Sequence, residues 1–564
     1  MNKRKKSILS FFLAALLLVS WGPSPPVRAA AADPTLRIGL YYGSNGLPAA
    51  NLQNVTGYGS GYRLGYFSGD QFTSLLETST VEITVVKDKQ LYINGEKDYY
   101  DVAPASYHTI IRPYHLQTSR TFSSALEAQN FAQSLSSLGA FPAYVNGSYV
   151  VRIGQYSSTS EAQAAQSAVS AQAGTVSVCG YSESCYTVTK TGTNTILFEL
   201  DSGGNYLGIQ PMGAAKTQTW FKGFKYYGAF EYKRMQGNDL TVINVVGLTD
   251  YVKGVIPYEM SASWPAEALK AQALCTKSYS MNSLGKHSSQ GFDLCNSTDC
   301  QVYQGTNAAN ATSDSAVDAV YGQYILYDGQ IAQAYYHASS GGATEDVENI
   351  WTSYVPYLRG VEDTYLKNPV NWSATFTNET VAAILRSKGY SVGNVTNVYV
   401  GHTTSHGNVD SLTVEQDSGE DLVFSKSSAR SILNSSAYGV SILSHRYTIS
   451  GGSGSGSGGG NVDGFTINGQ PFSSLSGMYA IGSGGIIGSV SSGSLSAITG
   501  SGTVSIPSSQ KAKASSGTYT VTGTGNGHHI GLSQWGANGM ANAGFSYEDI
   551  IKFYFTGVQV GPAT

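Results

Sequence analysis

Glu259 has the surroundings that acid chemistry asks for. It lies in the run Val255-Ile256-Pro257-Tyr258-Glu259-Met260, where a strand is expected up to Ile256 and Pro257 stops it. A carboxylate on the connection that follows, flanked by Tyr258 and Met260, loses part of its hydration. That loss raises its affinity for a proton, as a general acid working near neutral pH requires. On spacing alone Glu259 is still an ordinary loop carboxylate. The other chemically able set is five cysteines: Cys179, Cys185, Cys275, Cys295 and Cys300. In an oxidising compartment Cys179/Cys185 and Cys295/Cys300 are the natural local pairs. Cys275 is left over in an apolar helical stretch, the setting of a buried thiol.

The elements that must position Glu259 begin with a helix just after it. Ser263 is expected to cap that helix, Pro265 to fill its first turn and Glu267 to favour its positive end. Ala266, Leu269, Ala273 and Tyr279 form its apolar stripe. Residues 33–107 contain short runs of β-formers between Gly and Asn turns, and hold no catalytic constellation. Residues 108–190 repeat one strand–helix–strand unit. Its shared Glu-Ala-Gln occurs at Glu127–Gln129 and again 34 residues later at Glu161–Gln163. Two such units make a split βαβ, ferredoxin-like layout, one antiparallel sheet with two helices behind it. Gly451 to Gly460 is a Gly/Ser linker, and the segment 450–515 reads as an insertion, because recognisable motifs return at Tyr519.

The start of the chain sets the compartment. Lys3, Arg4, Lys5 and Lys6 precede an uncharged, mostly apolar run from Ile8 to Trp21 and then small residues at Ala29 to Ala32. This is the pattern of a secretory signal over 1–32. The mature protein is expected outside the cytoplasm, secreted or wall-associated, and touches a membrane only if that segment stays uncleaved as an anchor. The formal net charge is −4, and beyond residue 32 there are 28 basic against 37 acidic residues. Such a chain is poorly suited to nucleic acid.

The repeat module resembles the sporulation-related repeat (SPOR) domain, which implies binding to glycan strands stripped of peptide. From 194 to 560 the chain resembles the stage II sporulation protein D / amidase enhancer family. The resemblance is carried by "DYVKGVIPYEM", "ASWP" with "EALKAQA", "FDLCNSTDCQVYQG", "YYHASSGGATEDVENIW", "PYLRGVED" and "GNGHHIGLSQWGANGMANAGFSYEDIIKFYFTG", in the family's order. The expected fold class is α+β. A mixed β-rich catalytic domain with a few helices follows the SPOR-type module and a small β-rich N-terminal region.

The resemblance implies a lytic transglycosylase that cleaves peptidoglycan after N-acetylmuramic acid and closes an anhydro ring. Its alternative is a non-catalytic amidase enhancer that binds wall glycan and stimulates a partner amidase. It implies that Glu259 is the catalytic acid/base and that Lys277, standing where the family has an Arg, is the second catalytic residue, a cation to hold a sugar oxygen or steady Glu259. It gives a substrate cleft to Tyr258, Tyr336, His337, Ser339, Ser340, Gly341, Gly342, His528, Ser533 and Gln534. Here His529 replaces a Gly of the motif, and Trp535 stands at an aromatic position. No cofactor is required. Some family members hold a structural zinc at the Cys-x4-Cys, so Cys295, Cys300 and His287, with Asp299, form a candidate ligand set that competes with a local disulfide.

Overall fold

The computed structural model describes residues 33–213, 216–235, 239–351, 353–451 and 517–563, together with six short strands between 465 and 506. The expected signal segment, the linker from 452 to 460 and most of the 450–515 insertion lie outside these residues.

The architecture is α+β. A seven-stranded sheet runs in the order Leu294–Cys295, Thr35–Tyr41, Thr241–Gly247, Ala229–Lys233, Leu207–Gly213, Gly59–Ser68, Gln71–Thr78. Thr35–Tyr41 lies antiparallel to Thr241–Gly247, with Thr35 opposite Gly247, and parallel to Leu294–Cys295. In a second, ten-stranded sheet the repeat supplies one end, in the order Val176–Cys179, Tyr114–Thr118, Ser148–Tyr156, Ala140–Val145. That end is hydrogen-bonded straight onto the rest, because Ala140–Val145 runs parallel to Ile196–Asp201 with Ala143 opposite Glu199. Cys185–Lys190, Glu82–Lys87, Ala49–Asn54 and the hairpin Thr219–Phe221/Phe224–Tyr226 complete it.

The boundaries drawn at 107 and 194 are therefore crossed by both sheets. Strands from 33–107 alternate with strands from 194–247, and one core runs from Leu36 to Val558. Short strands announce themselves by composition, but nothing local names their partners.

The repeat's two helices, α1 (Ala125–Ser134) and α2 (Thr159–Ala173), start alike. The Ser124 and Ser158 side chains accept from the backbone N–H of Glu127 and Glu161. Each Glu in turn accepts from the residue before the cap, Ser123 or Ser157. The repeated Glu-Ala-Gln thus carries a start signal twice. Ala128, Ala132, Ala162 and Val169 pack on Leu116, Val151 and Ile153 in a small core of their own.

The strand expected to reach Ile256 stops at Gly247, and Leu248–Glu259 is a helix, α3, with Pro257 inside its last turn. Leu248, Tyr251, Val252, Val255 and Ile256 are all buried. Their spacing of three, four, seven and eight is that of one helix face. Helix α4 (Ala266–Asn282) follows, with Pro265 rather than Ser263 at its N-cap and almost every residue from Ala268 to Ser280 buried.

A second lobe has its own core, formed around Asn371–Thr377, Thr518–Thr524, Tyr447–Gly451, the sheet Val395–Thr403/Val409–Gln416/Leu422–Ser425 and the helix Asn378–Ser387. The two ends of the insertion meet here, since Gly451 pairs with Tyr519 in adjacent strands. A long segment between paired ends leaves the lobe's register undisturbed.

Candidate active site

Glu259 is the last residue of α3 and is partly buried. It faces a cavity of about 480 Å³, within the usual range for small-ligand sites. The Gln534 amide donates to Glu259 Oε2 at 3.1 Å, and the Tyr336 hydroxyl to Oε1 at 3.4 Å. Burial raises the carboxyl's pKa above its ordinary value, while the donors Gln534, Tyr336 and the Val302 backbone oppose the rise. Burial and the donors thus act on the carboxyl in opposite senses, with burial the larger effect.

Those two donors are themselves held. Gln301 donates to Tyr336 Oη at 3.1 Å, while its own carbonyl accepts from Tyr251 at 3.0 Å and Ser280 at 2.9 Å. Gln534 also reaches Gln272 at 3.4 Å. Gln272, Thr276 and Ser280 follow one another at intervals of four along the buried helix α4, a polar stripe where an apolar one is normal. That stripe is the sequence signal for Gln272; Gln301, on the loop after Cys300, meets it only in the fold.

Lys277 is not with Glu259. It is buried on another side of α4, about 140° round from Gln272. Its ammonium donates to the Val320 carbonyl at 2.7 Å and sits 5.0 Å from the Tyr324 ring centroid. Burial lowers its pKa to about 8. The catalytic assignment of Lys277 is therefore corrected to a core position. Tyr258 likewise turns away from the cavity, its hydroxyl donating to the Gln304 carbonyl at 3.4 Å.

The other cleft residues divide in two. Tyr336, His337, His528 and Gln534 line the cavity. Ser339, Ser340, Gly341, Gly342 and Ser533 do not line it and build the turn behind it. Strand Tyr336–His337 runs parallel to Leu532–Ser533, and Ser339 and Asn526 exchange two backbone hydrogen bonds. Ser340 N–H donates to Ser533 Oγ at 3.3 Å, and Ser340 Oγ donates to Asp363 at 2.6 Å. Gly341 has φ +70°, and a Cβ there would stand 2.5 Å from the Thr524 carbonyl, so only Gly closes this turn.

His337, His528 and His529 contact one another, their ring centroids 5.4 Å apart in both His337 pairs. Burial is the leading cause that pushes all three down, His337 to about 3, and keeps them neutral. His529 stands at φ +63° where the motif has Gly, and its Nδ1 meets Asn408 Oδ1 at 2.9 Å. Arg430, unforeseen from the sequence, reaches the same cavity from the second lobe.

The Cys295–Cys300 loop forms one wall, with Asp299 and Cys300 on the cavity. Cys295 and Cys300 are free thiols here, as are Cys179 and Cys185, so neither local pair is a disulfide; Cys275 is a buried thiol. His287 Nε2 lies 3.3 Å from Cys300 Sγ and 3.2 Å from Asp299 Oδ2. Cys295 Sγ lies 3.9 Å from Asp299 Oδ2, and all four ligand atoms fall within 4.8 Å of one another. Ligands of a tetrahedral zinc stand about 3.3–3.8 Å apart, so the donors fit. His287 Nδ1 meets Gln290 Oε1 at 3.1 Å, a contact that orients the ring with Nε2 toward the thiols.

Comparison with known proteins finds two family matches in the chain. Residues 236–327 match the Stage II sporulation protein family, and residues 112–178 match the SPOR domain. An uncharacterised protein of Brachyspira hyodysenteriae is 28% identical over 362 residues, 63% of this chain and 78% of that protein. The amidase enhancer of Bacillus subtilis is 30% identical over 327 residues, 55% of this chain but only 40% of that longer protein. Stage II sporulation protein D of Bacillus subtilis is 24% identical over 339 residues, 56% of this chain and 75% of that protein. No helix among the described residues is long and apolar enough to cross a membrane. The chain carries a Stage II sporulation protein domain built onto a SPOR domain, and with them a role connected to the cell wall.

Proposed function

We propose that the protein is a lytic transglycosylase acting on peptidoglycan glycan strands stripped of their stem peptides, which the SPOR domain would hold. The carrying observation is a carboxylate, Glu259, whose proton affinity burial raises and which two donors hold at the wall of a cavity. The other carboxylate on the wall, Asp299, is engaged by Lys286 and His287. A hydrolase that inverts needs a second, free carboxylate to activate water; a transglycosylase does not.

The proposed step begins with Glu259 protonated. It donates its proton to the glycosidic oxygen after N-acetylmuramic acid, and the C1–O bond breaks. The primary hydroxyl of the same sugar closes on C1 and gives its proton to the Glu259 carboxylate. The anhydro ring forms, no water is consumed and the acid is regenerated. Tyr336 and Gln534 stabilise the carboxylate between the two transfers, and neutral His337 and His528 wall the cavity without competing for the proton. The Trp264/Trp535 pair, ring centroids 4.7 Å apart, begins one residue past Gln534 and offers a sugar-stacking face outside the cavity.

Amidase-stripped strands incubated with the protein should yield anhydro-muramoyl ends by mass spectrometry, and Glu259→Gln should lower their rate by about 10²- to 10⁴-fold. Absence of product from the unaltered protein would sink the enzymatic reading. Equal product from both proteins would sink the role of Glu259. The identity with the amidase enhancer supports a second reading, stimulation of a partner amidase by glycan binding. It predicts that Glu259→Gln stimulates the amidase undiminished.

We further propose that His287, Cys295, Asp299 and Cys300 hold a structural zinc. The ion would clamp the loop that carries Gln301, and through it Tyr336 and Glu259. The protein should contain about one zinc per chain by elemental analysis, and Cys295→Ser should lose it and lower the thermal midpoint. Retention of full zinc by that variant would exclude the set.

A further inference from the structure

Arg430 stands on the short helix Ser427–Ser431 of the second lobe and is the one Arg or Lys among the described residues lining the Glu259 cavity. It is held there deliberately. Lys426, just before that helix, donates to the carbonyls of Glu348 at 2.8 Å and Trp351 at 3.0 Å, and Trp351 is itself on the cavity wall. Tyr447 donates to the Ala429 carbonyl at 2.7 Å. The second lobe is thereby fastened to the main body beside the cavity, with the guanidinium between them.

Among the described residues the guanidinium has no counter-ion. Its Nε is buried without a hydrogen-bond partner among the described residues, and no ion pair among them includes it. Four histidines feel this charge: His337, His445, His528 and His529 are all lowered first by burial and then also by this cation, while Glu259 and Asp299 line the same cavity. A guanidinium keeps its charge in proteins. A half-buried charge with no partner is costly, and a ligand anion would offset that cost.

The glycan carries such an anion in one state only. An N-acetylmuramic acid that has lost its stem peptide ends its lactyl group in a carboxylate; with the peptide attached, the same atoms form a neutral amide. The lactyl group sits on the sugar whose anomeric carbon Glu259 would address. At about 480 Å³ the cavity has room for a sugar and its lactyl group.

We propose that Arg430 is the residue that binds the lactyl carboxylate of peptide-free N-acetylmuramic acid and so selects stripped strands. This rests on the transglycosylase reading for the placement of the sugar. The fork of Arg matches a carboxylate in two hydrogen bonds, which a Lys cannot reproduce.

The test compares three probes on the full chain: a GlcNAc–MurNAc tetrasaccharide as the free acid, as its lactyl methyl ester, and with the stem peptide attached. Binding is read by calorimetry and anhydro product by mass spectrometry. The SPOR contribution is common to all the proteins compared, so differences report Arg430. The unaltered protein should prefer acid over ester by roughly 10- to 100-fold. Arg430→Gln should bring that ratio close to one, and Arg430→Lys should keep part of it. A ratio unchanged by Arg430→Gln overturns the proposal, as does equal loss toward acid and ester, which marks a merely structural residue. Tighter binding of the peptide-bearing probe than of the acid also overturns it, by moving the anion to the peptide. If the protein makes no anhydro product but still loses its preference in Arg430→Gln, the transglycosylase reading falls and the role of Arg430 stands. If product forms with acid and ester alike, only the role of Arg430 falls.

Discussion

Two effects of opposite sign meet at Glu259. Burial raises the carboxyl's proton affinity, while the Tyr336 hydroxyl and the Gln534 amide favour the charged form. Tyr336→Phe removes a donor to the carboxylate, so the pKa rises further. The alkaline limb of the pH–rate profile, where the acid is lost, should then move to higher pH, and the rate at neutral pH should fall by about tenfold or less. An unmoved limb would mean that the 3.4 Å contact does not act on the proton. At this scale the sequence was informative for residues inside long motifs: Glu259, Tyr336 and Gln534, each from such a motif, meet at one cavity. It misled at Lys277, because one residue along a buried helix changes the neighbourhood from the Thr276 stripe to the Val320 carbonyl. It was silent on Arg430, whose own segment offers no motif and whose cavity partners His337 and His528 come from the main body.

At the level of elements, the join between the repeat and the rest of the ten-stranded sheet holds a buried charge cluster. Arg152 bridges Glu199 at 2.8 Å and Asp201 at 3.0 Å, and His115 meets Glu199 at 3.3 Å. Asp88 lies in the same cluster, accepting from the Ser182 N–H at 2.7 Å. Its pKa is raised to about 7, first by burial and then by Glu199, against the weaker pull of Ser182, His115 and Arg152. The folded protein thus holds a proton on Asp88 that the unfolded chain gives up near pH 4. Its stabilising contribution is complete below that pH and is lost as pH rises to about 7. Asp88→Asn keeps the acceptor and removes the charge, so it should raise the thermal midpoint at pH 8 and change it little at pH 4. A gain at pH 4 as large as at pH 8 would contradict the buried-charge account. Among the elements, the doubled Ser–Glu cap made α1 and α2 legible. Helix α3 was mistaken for strand because Pro257 and the β-branched Val252, Val255 and Ile256 outweighed a helix-face spacing that tertiary burial then enforced.

For the whole molecule, the decisive feature is that the repeat is not a bead on a string. Its edge strand Ala140–Val145 is hydrogen-bonded along Ile196–Asp201, and Tyr149 donates to the Leu75 carbonyl at 2.9 Å. Deleting 109–180 would bare that strand edge and leave the Glu199 cluster without Arg152 and His115. Calorimetry of the intact protein should therefore show the repeat melting together with the main sheets, and the deletion should lower the midpoint of what remains. An early, separate transition for the repeat with the main transition unmoved would refute the coupling. By itself, the sequence determined what is encoded locally: the α+β class, the repeated caps and the motif turn with Gly341. Each depends on residues close along the chain, whose dihedral preferences and spacing act before anything packs. Only the tertiary structure decided which strands share a sheet, that Lys277 lies in the core, that Cys300 faces His287 rather than bonding Cys295, and that Arg430, without an ion pair among the described residues, enters the cavity from a second lobe. Those outcomes depend on contacts between residues tens to hundreds of positions apart, where burial and pairing, not local propensity, set the energy.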